Sequence, residues 1–143
     1  MLGDIVVVTE DCKFALTETT LGIPPAQIAP FVAQRIGLAK ARRIMLTAAR
    51  FTGKEAFEMG LADFIAKDAN DLKNIESDII KGVMNCAPGA NAITKEIVLA
   101  TRHLERSEMI DFAAKGFAER MLSDEGREGI ASFIEKRKPK WSK

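Results

Sequence analysis

One acidic side chain in this sequence, Glu18, lies where a carboxylate could transfer a proton. It directly follows the predicted strand Lys13–Leu16 and is the one acidic residue of the turn-rich segment Thr17–Pro25. Threonines and then apolar residues and prolines surround it, a setting in which a carboxyl group can act as a general acid or base. The residues alone leave two hypotheses open: proton transfer at the ends of the strands, or a loop carboxylate without chemistry.

The other residue types that often carry chemistry do not form a recognisable site. Cys12 and Cys86 lack the spacing of a metal, redox or disulfide site, so we expect two reduced packing residues. His103 lies near the end of a predicted helix, where a cation is favoured, which indicates a surface role rather than catalysis. The sequence contains neither GxxxxGK[ST] nor GxGxxG, and we predict no metal site, phosphate loop or dinucleotide site.

The elements that must position Glu18 are those of an α/β fold. The run Ile5–Val8 is apolar and β-branched without polar alternation, which is typical of a strand buried on both faces of a parallel or mixed sheet. Only Lys13–Leu16 and Ala62–Ala66 are predicted as further extended segments. Because a buried strand needs neighbours, the sequence has the pattern of the second half of a domain.

Helices are predicted for most of the remaining sequence. Gly37 separates the first two predicted helices, and Gly60 ends the third. Beyond Lys67 the pattern is helical throughout, with start signals such as Ser107 before Glu108 and Ser123 before an acidic pair. The predicted helices are 27–36, 39–47, 53–59, 69–85, 88–104, 107–121 and 124–138.

Composition excludes several classes of protein. The chain has 143 residues, 47% hydrophobic and 29% charged, which indicates one globular domain rather than a disordered or fibrous chain. The formal net charge of +1 argues against a general nucleic-acid binder, and we expect the basic end Glu135–Lys143 to be solvated. No apolar run could span a bilayer and no secretory signal is recognisable, so we expect a cytoplasmic protein without a membrane partner.

A series of short motifs runs in a fixed order along the chain. They include Asp4-Ile5-Val6-Val7, Lys13-Phe14-Ala15-Leu16-Thr17-Glu18, Leu21-Gly22-Ile23-Pro24, Arg35-Ile36-Gly37, Gly53-Lys54-Glu55-Ala56, Gly60-Leu61 and the ending Glu128–Trp141. Together they resemble the second half of the enoyl-CoA hydratase/isomerase (crotonase) superfamily, over essentially all 143 residues. The segment Pro25–Phe31 departs from the glycine-rich stretch of short-chain hydratases and is more similar to the isohexenylglutaconyl-CoA hydratase branch, which handles branched isoprenoid acyl-CoAs.

The resemblance implies a fold and two regions. We expect a truncated crotonase-like (ClpP/crotonase) α/β fold, with a few strands of a ββα-type core followed by helices. Residues 1–66 would be the remnant of the core, with the buried strand, the catalytic loop, helices and the return strand. Residues 67–143 would be a helical region through which copies of the chain assemble as a trimer or hexamer.

The resemblance also implies a reaction and roles for three residues. The substrate would be a 2,3-unsaturated acyl-CoA thioester, to which water is added in fatty-acid or branched isoprenoid acid catabolism. Glu18 falls on the family's second catalytic glutamate, and Phe133 and Lys136 fall on positions that contact the CoA adenine and phosphates. Coenzyme A is part of the substrate, so no separate cofactor is expected, and neither is a nucleic-acid partner.

Other parts of the family's site fall outside this sequence. Two backbone N–H groups that hold the thioester oxygen, and the first glutamate, belong to positions before Met1. Each oxyanion donor is worth about 10²–10³ in rate, so we expect the isolated chain to be a weak catalyst or inactive.

Two alternatives to hydration remain open at this stage. A non-catalytic assembly module would use apolar stripes of the C-terminal helices, such as Ile93, Ile97, Ala100 and Leu104, for contact between subunits. An enoyl-CoA isomerase would use the same scaffold with different acid/base side chains. RNA binding is the weakest alternative, because the basic tail carries one aromatic residue, Trp141.

Overall fold

The computed structural model describes residues 3–142 and divides into two compact units. The N-terminal unit is Met1–Asp78 and the C-terminal unit is Ile79–Lys143. The division falls inside a helix, whereas the sequence placed a boundary between residues 66 and 67. Lys143, the last residue of the predicted basic tail, lies outside the described residues.

The strands described in the N-terminal unit are short and form two separate pairs. They are β1 (Val7–Thr9), β2 (Lys13–Ala15), β3 (Arg50–Thr52) and β4 (Phe64–Ala66). β1 and β4 are parallel, with Val8 opposite Ile65. β2 and β3 are antiparallel, with Phe14 opposite Phe51, so β2 is held in register immediately before Glu18.

The helices begin and end at local signals that are visible in the sequence. They are α1 (Ala29–Leu46), α2 (Gly53–Met59), α3 (Ala69–Met84), α4 (Pro88–Ala100), α5 (Arg106–Met121) and α6 (Asp124–Ile134). Thr52 and Glu55 form a reciprocal capping box that starts α2. The Ser123 side chain accepts a hydrogen bond from the Gly126 N–H and starts α6, as predicted.

The predicted interruption at Gly37 is confirmed. Gly37 has φ 79° and ψ 160° inside α1, a backbone conformation that favours glycine and that separates two helical stretches. Pro30 lies in the first turn of α1, where a missing N–H costs no helical hydrogen bond. The gap between the predicted helices 27–36 and 39–47 therefore corresponds to this kink.

The expectation of a strand at Ile5–Val8, buried on both faces, is wrong in two respects. The strand begins at Val7 and continues to Thr9, and Ile5 is 44% exposed. Val8 alone is buried in β1, since its neighbours in the strand are half-buried. The Asp63 carboxylate accepts the Val6 N–H at 2.7 Å, so a side chain takes the main-chain bond that a longer strand would make.

Several other predicted boundaries need correction. β3 was not predicted, because its three residues directly precede a helix and offer no strand-length pattern. α4 ends at Ala100 rather than at residue 104, and α6 ends at Ile134 rather than at residue 138. Helix α5 begins at Arg106, one residue before the predicted start at Ser107, and is capped by Glu105 and Glu108 together.

The core of the N-terminal unit lies where α1 meets the β2–β3 pair and the ends of α2. Its buried members are Leu16, Val32, Ile36, Ala41, Ile44, Met45, Phe51, Ala56 and Leu61. Ala56 is fully buried on α2, and Leu61 follows the left-handed Gly60 that ends this helix. This core lies directly under the segment that carries Glu18, because Leu16 belongs to it.

In the C-terminal unit, α4 and α5 approach closely at a glycine. A Cβ added to Gly116 would lie 3.2 Å from Cγ2 of Ile93 and 3.6 Å from Cδ1 of Ile97. Ile93 and Ile97, which we expected in a contact between subunits, are therefore used at least in part within the chain. Among the described residues, no helix combines the length and apolar character needed to cross a membrane.

The contact between α2 and β1 gives a first prediction. A Cβ at Gly53 would lie 1.9 Å from the Thr9 carbonyl oxygen, so Gly53→Ala should lower the free energy of unfolding by about 1–3 kcal/mol or more. Gly82→Ala is the matched control, because it lies in α3 with nothing within 4 Å, and it should stabilise the chain by up to about 1 kcal/mol. Urea unfolding measures both, and equal midpoints would contradict the contact.

Candidate active site

Strand pairing fixes the point at which the Glu18 segment begins. The Phe14 and Phe51 rings stack across β2 and β3 with centroids 5.2 Å apart and planes 12° from parallel. Leu16 is then buried at 4% exposure, and its N–H donates to the Ala49 carbonyl at 3.1 Å. Because Leu16 is anchored through both side chain and backbone, Glu18 starts from a fixed position two residues later.

The chain then forms a short 3₁₀ turn, Glu18–Leu21, that the sequence did not reveal. Gly22 closes it with φ 75°, and its N–H donates to the Thr19 carbonyl at 3.2 Å. The Thr20 hydroxyl donates to the Thr17 carbonyl at 2.7 Å. The threonines around Glu18 thus supply hydrogen bonds that shape the turn, and glycine supplies the conformation that ends it.

The Glu18 carboxylate has one oxygen in an unusual environment. The residue is half-buried, and its Oε2 is buried with no hydrogen-bond partner among the described residues. Leaving a buried acceptor unpaired costs about 1–3 kcal/mol, a cost that a solvated loop carboxylate does not carry. The arrangement leaves an acceptor available to a proton on a bound water or substrate.

Phe133 and Lys136 lie together at the C-terminal end of α6. The Lys136 N–H donates to the Phe133 carbonyl at 3.3 Å, and the Arg137 N–H donates to the Ser132 carbonyl at 3.0 Å. Lys136 has φ 53°, so it occupies the left-handed position where glycine is usual at a helix end. The Phe133 ring is 85% exposed, which contradicts the core position that its apolar character alone would favour.

An ion pair fastens the segment that follows Lys136. Two guanidinium nitrogens of Arg137 donate to the two carboxylate oxygens of Glu128, at 2.6 and 3.1 Å, and the Lys140 N–H donates to Glu128 Oε1 at 3.0 Å. The hydrogen bonds from Arg137 are the main cause that lowers the pKa of Glu128 from 4.5 to about 2. Glu128 therefore fixes the turn that contains Lys136, through its hydrogen bonds with Arg137 and with the Lys140 N–H.

The structure brings two of the three predicted site residues together. Phe133 and Lys136 share one turn of the C-terminal unit, and Glu18 belongs to the N-terminal unit. Within residues 3–142, no group of His, Cys, Asp and Glu side chains could hold a metal ion. The expectation that both cysteines pack in the interior is wrong for Cys86, which is exposed, and Cys12 is half-buried.

Sequence analysis missed the residues that support Glu18. The Phe14–Phe51 stack joins residues far apart in sequence, so no local pattern reveals it. The Thr52-Gly53-Lys54-Glu55 signature of a capping box was visible and would have placed the end of β3 at Thr52.

Solved structures of other proteins share this fold over the whole described chain. AtuE of Pseudomonas aeruginosa superimposes with a TM-score of 0.96 and 47% sequence identity, covering 99% of this chain and 55% of that one. An enoyl-CoA hydratase/isomerase from Marinobacter aquaeolei gives 0.95 and 38%, covering 99% and 54%. The predicted crotonase-like α/β fold class is thereby confirmed.

The family model for enoyl-CoA hydratase/isomerase matches residues 1–143, and the chain belongs to this family. A curated relative, the peroxisomal Delta(3,5)-Delta(2,4)-dienoyl-CoA isomerase of Arabidopsis thaliana, is 30% identical over 144 residues, covering 98% of this chain and 51% of its own length. The chain thus spans about half the length of the relatives that it matches.

The Glu128–Arg137 pair predicts how stability depends on pH. The folded-state pKa of Glu128 is depressed, so the contribution of the pair is present above about pH 4.5 and is lost as the pH falls towards 2. Between about pH 4.5 and pH 2, the free energy of unfolding should fall further for the wild-type chain than for the Glu128→Gln variant. Unfolding midpoints measured between pH 6 and about 2 test this.

Glu119→Gln, on an exposed position of α5, is the control and should retain the wild-type pH dependence. Parallel stability curves for wild type and Glu128→Gln would show that the pair contributes nothing.

Proposed function

We propose that Glu18 is an acid/base residue in the hydration of a 2,3-unsaturated acyl-CoA thioester. The observation that carries the proposal is the buried, unpartnered Oε2 of Glu18 at the end of a strand-anchored turn. Membership of the enoyl-CoA hydratase/isomerase family supports the substrate class. An ionised carboxylate only accepts hydrogen bonds, which suits it to take a proton from an attacking water.

The proposed step adds the oxygen of water to C3 and a proton to C2. Glu18 accepts one proton from the water as the C3–O bond forms, and the electrons of the double bond move towards the thioester carbonyl. Glu18 then returns that proton to C2, which completes the addition of one water. Until C2 is protonated, the negative charge on the thioester oxygen must be stabilised, and this is the role of backbone N–H donors. The resemblance assigns those donors and the first glutamate to positions outside this sequence, so we propose that this chain alone turns over slowly or not at all.

We further propose that Phe133 and Lys136 bind the CoA moiety. An aromatic ring that is 85% exposed offers a face for the adenine, and the neighbouring ammonium group offers a charge for a phosphate. Contact with the CoA of a neighbouring copy would require the trimer or hexamer that the resemblance implies.

The acyl group and the reaction type are the finer parts of the proposal. We propose a branched, isoprenoid-like acyl chain, supported by the resemblance of the segment Pro25–Phe31. Isomerisation is the second candidate, supported by the name of the Arabidopsis thaliana relative. Incorporation of ¹⁸O from labelled water into the product would favour hydration, and a shifted double bond without ¹⁸O would favour isomerisation.

The role of Glu18 predicts a large effect on turnover. The test uses a chimaera in which the AtuE segment that precedes the matched region is fused to the N-terminus of this chain. Turnover of an unsaturated acyl-CoA is followed by the loss of its conjugated thioester absorbance. Glu18→Gln should lower kcat about 10²-fold or more, because the amide cannot take the proton. Glu76→Gln, at an exposed position of α3, should leave kcat unchanged. Equal turnover in the two variants would remove Glu18 from the mechanism.

Substitution of Lys136 by glycine should have opposite effects on the stability of the chain and on its affinity for CoA. Lys136→Gly relieves a left-handed non-glycine residue and should raise the free energy of unfolding by up to about 1 kcal/mol, while weakening binding of CoA. Lys138→Gly removes a charge of the same sign from a residue whose φ is not positive. This variant should be slightly less stable than the wild type and should retain its affinity for CoA. Calorimetric titration with CoA, and thermal unfolding, measure the two effects.

The neighbouring aromatic residue provides a second comparison in the same assay. Phe133→Ala should weaken CoA binding, whereas Ile134→Ala, which is 72% exposed, should not. Identical CoA affinity in all four variants would place the CoA site elsewhere.

A further inference from the structure

The two hydroxyl groups of the 3₁₀ turn have different partners. The Thr20 hydroxyl donates to the Thr17 carbonyl, within the same short segment. The Thr19 hydroxyl donates to the Met45 carbonyl at 3.2 Å, across 26 positions of sequence. Met45 is buried at 9% exposure near the C-terminal end of α1, and its carbonyl also accepts the Ala48 N–H at 3.3 Å.

We propose that Thr19 is a positioning residue for Glu18, a proposal that rests on the acid/base role given to Glu18 above. A 3₁₀ helix has three residues per turn, so neighbouring side chains project about 120° apart. Anchoring the Thr19 side chain to α1 therefore sets the rotation of the turn, and with it the direction of the Glu18 side chain.

The turn needs such an anchor because its other hydrogen bonds, as described, stay within residues 17–23 and do not join it to another element. Leu16 fixes the chain before the turn, and Gly22 fixes the conformation after it. The hydrogen bonds of a 3₁₀ helix have poor geometry, and this one is four residues long. Without the Thr19 bond, the turn could rotate and expose Oε2 of Glu18 to water, which would hydrogen-bond it and remove the cost of its burial.

The energy of the bond predicts which measurement will respond. Thr19 is an exposed residue, and one neutral hydrogen bond contributes little to the stability of a whole domain, so loss of its hydroxyl should affect the carboxylate more than the global fold. Loss of a group that merely stabilised the fold would instead lower the stability of the chain and leave the Glu18 carboxylate unchanged.

The test uses the chain itself, labelled with ¹³C at glutamate side chains, with the Glu18 carboxyl resonance assigned by its absence in Glu18→Gln. Thr19→Val should shift that resonance, and Thr19→Ser, which keeps the hydroxyl, should restore it. Thr101→Val is the control, because the Thr101 hydroxyl also donates to a backbone carbonyl, that of Val98, at 2.6 Å, but in the other unit.

Thr19→Ala replaces Thr19→Val if the valine variant does not fold. An unchanged Glu18 resonance in the variant without the hydroxyl, or a failure of Thr19→Ser to restore it, would overturn the proposal.

A kinetic measurement on the AtuE chimaera separates this proposal from the proposed function. Thr19→Val should lower kcat between about 10- and 10²-fold with little change in KM, since misplacement of a reacting group affects chemistry rather than binding. If Glu18→Gln leaves turnover intact, the proposed function fails, while the resonance measurement still decides whether Thr19 positions the carboxylate. Loss of kcat in Thr19→Val with an unchanged Glu18 resonance would also overturn the positioning role.

Discussion

A buried carboxylate oxygen without a hydrogen-bond partner is the constraint on which the N-terminal unit depends. Oε2 of Glu18 is such an oxygen, and it stays buried despite the cost only if the surrounding structure prevents the side chain from reaching water. Three features act together to do this: the stacked rings of β2 and β3, the buried Leu16, and the hydroxyl that ties the 3₁₀ turn to α1. The fold therefore keeps a buried acceptor in a defined position, from which we propose that it takes a proton during the reaction.

The proposed CoA-binding residues of the C-terminal unit are positioned by different contacts. Helices α4 and α5 pack closely at Gly116. The Glu128–Arg137 ion pair holds the end of α6, next to the turn that contains Lys136. Lys136 occupies a backbone conformation that glycine would adopt at lower cost. We propose that the Lys136 ammonium binds the phosphates of CoA.

Much of this fold could be predicted from local signals, because several elements are specified by single residues. Gly37, Gly60 and Ser123 mark a kink, a helix end and a helix start that the structure confirms. The family could be predicted from the order of weak motifs, none of which is specific by itself. Glu18 was a candidate because of its place after a predicted strand, and the family resemblance then implied its catalytic role, which stays a prediction.

The remainder depends on contacts between residues distant in sequence. The β2–β3 pairing rests on Phe14 and Phe51, and the position of Glu18 rests on Met45, so neither follows from local periodicity. Ile5 was expected in a buried strand from its apolar character, but the Val6 N–H is taken by Asp63 instead of by a strand. The left-handed backbone of Lys136 has no sequence signal, because the residue type there is one that this conformation disfavours.

The most direct test of the central claim is a crystal structure of the AtuE chimaera with a non-hydrolysable, unreactive analogue of an unsaturated acyl-CoA. We expect Oε2 of Glu18 to lie within hydrogen-bond distance, about 2.6–3.2 Å, of a water that faces C3 of the acyl group. A structure in which the thioester is bound but the Glu18 carboxylate points into bulk solvent would contradict the account.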